Sequence, residues 1–197
     1  VLLIESLSRH TFWGGVLFLV QEPVNFLMNW LIIAAFLSLT YFIPKRIFAQ
    51  AIVVLVFVGL GIINCVLLYT RVTPLEAVDF SILRTGISIV NIYLTMLQLI
   101  LCAAALLAVG LVLLFVKSPK SSVRPGVAAA SFGGIAVCAA ALITGLTFSG
   151  AIPANFADLN KAYDTYGFTY CFSRSIFDRG IPKPEDYSAY TIEEILS

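Results

Sequence analysis

Four runs of the chain, Val24–Ile43, Ile47–Tyr69, Val90–Val116 and Gly126–Phe148, contain no charged side chain. They are 20, 23, 27 and 23 residues long. A membrane-spanning helix needs about 20 apolar residues, so each run reads as a complete span. The opening Val1–Leu7 is too short for that and reads as the outer end of a helix whose beginning precedes it. The rest of the composition agrees: 60% of residues are hydrophobic, mean hydropathy is +0.98, and charged residues are 12%. Soluble domains carry about twice that charged share, so an ordinary soluble fold is excluded. The expected architecture is all-α: a polytopic membrane helix bundle of four complete spans plus a truncated first one, with interfacial helices and a short extracellular helical tail. Residues 1–149 form the transmembrane unit and 150–197 a juxtamembrane linker.

Basic residues orient the bundle. Lys45 and Arg46 join the first two complete spans, and Lys117, Lys120 and Arg124 join the last two, with no acid in either turn. That face is expected in the cytoplasm, which places the connection 70–89 and the tail outside. The short run Thr11–Val20 cannot cross and suits an interfacial or re-entrant helix, with Trp13 in the headgroup layer. Pro23 fits the first turn of the helix that follows. The last span is rich in Ala and Gly, which allows close backbone approach to a neighbour. The sequence Gly59–Gly61 in the second span offers the same.

Few side chains could carry chemistry. His10 is the only histidine, and the four cysteines, Cys65, Cys102, Cys138 and Cys171, are scattered, which favours neither a disulfide framework nor a metal site. No basic cluster suggests nucleic acid. Glu5 and Arg9 have the spacing of a helical ion pair, read as solvated at the interface or as a lipid headgroup contact. Asn64, inside a span, needs a partner, either in packing or in a transport site. In the outer connection, Thr73-Pro74-Leu75-Glu76 has the pattern of a capping box, with a helix expected from Pro74 to about Thr85. Leu75, Val78, Asp79 and Ile82 share its face. A carboxylate there requires pairing, and Arg71 and Arg84 are the available cations. The two readings are a structural ion pair and a site for an anionic lipid phosphate.

From Asn155 onward the chain is polar, with four basic against seven acidic side chains. Asn155 is expected to cap a helix over Phe156–Tyr166 that ends at Gly167, with Phe156, Leu159, Tyr163 and Tyr166 on one face. Gly180–Pro184 should be extended, and Thr191–Glu194 has the pattern of a second capping box.

The tail segment DLNKAYDTYGFTYCFSRSIFDRGIPKPEDYS resembles the segment joining the membrane and catalytic parts of the lipoteichoic acid synthase family. ESLSR at Glu5–Arg9, FLMNWLII at Phe26–Ile33 and GIINCVLLYTRVTPLEAVDF at Gly61–Phe80 are similar to that family as well. The resemblance implies a bacterial cell-membrane protein with five transmembrane helices. It also implies an extracellular sulfatase-like domain that uses a divalent metal such as manganese and a threonine nucleophile. Such a domain moves glycerol phosphate from phosphatidylglycerol onto a glycolipid. None of that family's nucleophile or metal motifs occurs in these 197 residues, so the catalytic residues and the metal are expected outside them. The partners expected here are membrane lipids, phosphatidylglycerol among them, and the chain's own catalytic domain. The alternative is a noncatalytic membrane scaffold whose tail docks a cell-envelope partner. A small transporter is the weakest reading.

Overall fold

The structure is a computed structural model that describes residues 1–71, 73–80, 123–153, 155–156 and 158–177. Among these, the regular structure is helical. Two short helices, α1 (Leu2–Ser8) and α2 (Gly14–Gln21), precede the long helices α3 (Pro23–Leu39) and α4 (Arg46–Arg71). A 3-10 turn, Thr40–Phe42, extends α3. Past residue 80, α5 (Pro125–Phe148), α6 (Leu159–Tyr166) and α7 (Phe168–Ser175) follow. The expected span Val90–Val116, Arg84, and the tail from residue 178 onward lie outside the described residues.

Three helices are long and apolar enough to cross a membrane: Pro23–Phe42, Arg46–Arg71 and Pro125–Phe148, with mean hydropathies of 1.6, 2.9 and 2.1. Pro23 and Pro125 each open a helix at its first positions, where the missing N–H costs nothing because it would have no intrahelical acceptor. The residues of α3 and α5 pack side by side. Leu142, Ile143 and Leu146, near the end of α5, meet the same cluster as Met28, Ile32 and Ile33 of α3, and the start of α3 bonds the tail that follows α5 through Asn25 and Asn29. The two helices are therefore antiparallel. The basic residues Lys45, Arg46 and Arg124 lie at one end of the bundle, and α6 and α7 lie at the other.

The core sits at that second end. Ile4, Met28, Phe57, Leu75, Ile152, Ala162, Tyr163, Phe168, Tyr170 and Cys171 form one buried cluster. It mixes residues of the long helices with residues of the polar tail, so the tail is part of the folded body and not a free extension. Gly61 of α4 lets α1 come close: a Cβ there would lie 3.3 Å from Ile4. Gly59 has nothing within 4 Å, so the close approach expected of Gly59–Gly61 is made at Gly61.

Local structure departs from the sequence reading at two caps. The tail helix begins at Leu159, not Phe156, because Asp158 accepts the Lys161 N–H at 3.2 Å and serves as the N-cap in place of Asn155. The Thr73–Glu76 box does not form. Glu76 N–H donates to Asp79 Oδ2 at 2.8 Å, and helical backbone is found over 77–80. Asp79, held by Arg71, outcompetes the neutral Thr73 hydroxyl for that N–H.

Candidate functional site

The site is a polar clasp built into the end of the bundle where the tail packs. Asn25 and Asn29 stand one turn apart on α3 and share a face. Asn29 is fully buried. Its amide donates to the Asn25 carbonyl at 2.7 Å and to the Tyr166 carbonyl at 2.6 Å, and its oxygen accepts the Tyr170 N–H at 2.8 Å. Asn25 donates to the Thr165 carbonyl at 2.9 Å and to Glu22 at 3.1 Å. Two α3 side chains thereby satisfy the last carbonyls of α6 and an N–H in the first turn of α7, groups that helix ends leave unpaired. Gly167 joins the two tail helices at φ +86 and ψ 157, a region open to glycine almost alone. A Cβ on it would lie 2.5 Å from Asn29 Nδ2.

Glu5 closes the clasp from α1. It is fully buried, and Oε1 accepts the Phe168 N–H at 2.9 Å. Arg9 Nε lies 3.7 Å from the other carboxylate oxygen. The expectation of a solvated Glu5–Arg9 pair is therefore corrected: tail packing covers the carboxylate. Burial pushes its pKa up to about 7, against the opposing pull of the Phe168 N–H and Arg9; Asp164 adds to the rise. Arg9 donates through Nη2 to the Asp164 carbonyl and lies 4.5 Å from the Phe18 ring centre.

Asn64 ties α4 into the same network. It is fully buried, donates to Ser8 Oγ at 3.0 Å and accepts the Leu75 N–H at 2.8 Å. Tyr163 of α6 donates to the Leu75 carbonyl at 2.7 Å, and burial raises its pKa, which keeps the donor protonated. The bland reading of Asn64, a packing hydrogen bond, is the one its geometry fits. Nearby, Ala77 N–H donates to Ser175 Oγ at 2.9 Å.

Arg71 and Asp79 form a two-pronged pair, Nη1 to Oδ1 at 2.8 Å and Nη2 to Oδ2 at 2.6 Å, and Nη2 also reaches the Pro74 carbonyl at 3.2 Å. This parallel geometry is the strong form of a guanidinium–carboxylate contact. Glu5 and Arg9 are brought together with the tail, while the Arg71–Asp79 pair braces the chain leaving α4.

An open cleft of about 390 Å³ lies beside the clasp, lined by Ser8, Arg9, His10, Leu68, Asn160, Tyr163 and Asp164. His10 has a positive φ of 51, and its Nδ1 is 3.5 Å from Cys65 Sγ. Cys171 is buried against the Ala162 carbonyl, and burial raises its pKa, so it is a structural thiol and not a nucleophile. Among the described residues, no three His, Cys, Asp or Glu side chains lie together as metal ligands. Among the described residues, the arrangement positions a segment of chain.

Sequence reasoning missed Asn25 and Asn29, and placed Tyr163 on its helix's packing face without its hydroxyl's bond to the Leu75 carbonyl. The signal for the asparagines was present: two amides four apart on an otherwise apolar helix raise the same question of partners as Asn64. No protein-family model, curated protein or solved structure matches this chain.

Proposed function

We propose that this chain is the membrane part of a lipoteichoic-acid-synthase-like protein in a bacterial cell membrane. It anchors an extracellular, metal-dependent phosphoglycerol transferase domain beside phosphatidylglycerol. The observation carrying this reading is the clasp. Asn25, Asn29 and Glu5 bind main-chain groups at the α6–α7 junction, so the segment leaving the last span is fixed to the helix ends. A fixed stalk sets the height and tilt of whatever follows it. Tethering beside a lipid substrate raises effective concentration only when the linker geometry permits contact. The basic end, with Lys45, Arg46 and Arg124, faces the cytoplasm in this reading, and the clasp faces outward.

The decisive observation is the coding sequence beyond Ser197. A following domain with a threonine nucleophile and Asp, Glu and His metal ligands is expected; a stop codon shortly after Ser197 would sink the transferase reading in favour of the scaffold. Purified 1–197 supplied with manganese and phosphatidylglycerol is expected to release no diacylglycerol. Turnover by it would refute the assignment of catalysis to another domain.

A further inference from the structure

The turn between α1 and α2 presents two aromatic rings outward. Phe12 is 86% and Trp13 65% exposed, and the rings meet edge to face at 5.4 Å. Val16, Leu17, Leu19 and Val20 continue this surface along α2, and Val24, Leu27 and Trp30 continue it along α3. The turn is not a loose loop. Ser6 Oγ donates to the Phe12 carbonyl and accepts the Gly15 N–H, both at 3.0 Å. Gly15 permits a close crossing with α1, where a Cβ would run into the Leu2 carbonyl oxygen, and Gly14 packs against Thr11 and Arg9 of the turn. The opposite side of the hairpin is buried through Ile4 and Phe18.

We propose that Phe12, Trp13 and the exposed side of α2 form a wedge seated in the lipid of the leaflet nearest the clasp. We further propose that this seating holds α1 in place for the tail. The occupant is lipid because, past the exposed Gln21 and Glu22 at the α2–α3 joint, the apolar surface resumes on the exposed flank of α3, a helix long and apolar enough to cross a membrane. At eight residues α2 is too short to cross by itself. Indole favours the interfacial layer, where an apolar ring and a polar N–H are both accommodated. The link to the tail is α1 itself. The same helix carries Ser6, which fastens the wedge, and Glu5 and Ser8, which bind Phe168 and Asn64. The inference requires only that the helices sit in a membrane, and stands whether or not a transferase domain follows.

The chain has two tryptophans, so Trp30→Phe leaves Trp13 as its single indole. In vesicles of phosphatidylcholine and phosphatidylglycerol, Trp13 emission is expected to be blue-shifted, strongly quenched when the acyl chains are brominated, and little affected by aqueous acrylamide. Acrylamide quenching without bromolipid quenching would overturn the proposal. Quenching by neither, with emission that changes on dilution of protein in lipid, would do the same by pointing to a second copy. In the second arm, Phe12→Ser with Trp13→Ser alters exposed side chains alone. It is expected to raise maleimide labelling of buried Cys171, read by peptide mass spectrometry, severalfold in vesicles; unchanged labelling would refute the coupling to the tail.

Discussion

Glu5→Gln tests the clasp most directly, because burial of this carboxylate carries a signed pH dependence. The native pKa is about 7 against an ordinary value of 4.5. The docked state therefore binds a proton more tightly than the open state in which water reaches Glu5. Docking is strongest below the ordinary value, weakens as pH rises between the two, and levels off above the native pKa. A difference of about 2.5 units is worth about 3 kcal/mol, or about 300-fold in the docked-to-open ratio. Gln is close in shape, keeps an oxygen for the Phe168 N–H and does not titrate. The assay is the rate of Cys171 labelling, since this thiol is buried between α6 and α7. Thiol reactivity itself rises with pH, so the informative quantity is the ratio of wild-type to Glu5→Gln rates at each pH. The ratio should climb between about pH 5 and pH 7 and then flatten. A flat ratio, or one that falls with pH, would refute the burial of Glu5 beneath the docked tail.

Two further substitutions probe separate parts of the site. Gly167→Ala places a Cβ where only glycine backbone is relaxed and pushes it onto Asn29, so a loss of about 2–4 kcal/mol in tail docking is expected; proteolysis after residue 158 should accelerate accordingly. Arg71→Ala removes the partner of Asp79 and should destabilise the 73–80 connection by about 1–2 kcal/mol, seen as faster hydrogen exchange there. Anionic lipid binding should stay unchanged, because the guanidinium is already engaged by Asp79 and the Pro74 carbonyl. A marked fall in vesicle cosedimentation would restore Arg71 as a headgroup ligand.

Three of the four complete spans were legible because uncharged runs of this length have few alternatives; Pro23 marked the start of one of them and Gly167 the end of α6, both for plain steric reasons. The Arg71–Asp79 pair was legible for a similar reason, since a carboxylate on an apolar face requires a cation. What the sequence hid was long-range. Glu5 and Phe168 are 163 positions apart, and the local i,i+4 pattern pointed to Arg9 instead. The α6–α7 break was half legible: glycine signalled the stop, yet the restart at Phe168 depends on Asn29 and Glu5 holding the junction from other helices. Asn155 lost the cap to Asp158 because a charged acceptor binds the amide cluster of a helix start more strongly than a neutral one.

The placement of polar groups also bears on what the spans are for. Hydroxyls along them bond their own helix: Ser38 to the Ala35 carbonyl, Thr40 to Leu37, Thr70 to Val66, Thr144 to Ala140 and Thr147 to Ile143. Such bonds satisfy a hydroxyl without assembling a site between helices. Asn25, Asn29 and Asn64, by contrast, bond across elements, and each does so to the chain that leaves or re-enters the bundle at one end. Transport sites gather polar groups near the midplane and break helices to reach them. Here the amides are instead spent on fixing main chain at the helix ends. Among the described residues, this distribution favours a platform that orients an emerging segment over a path that passes a solute.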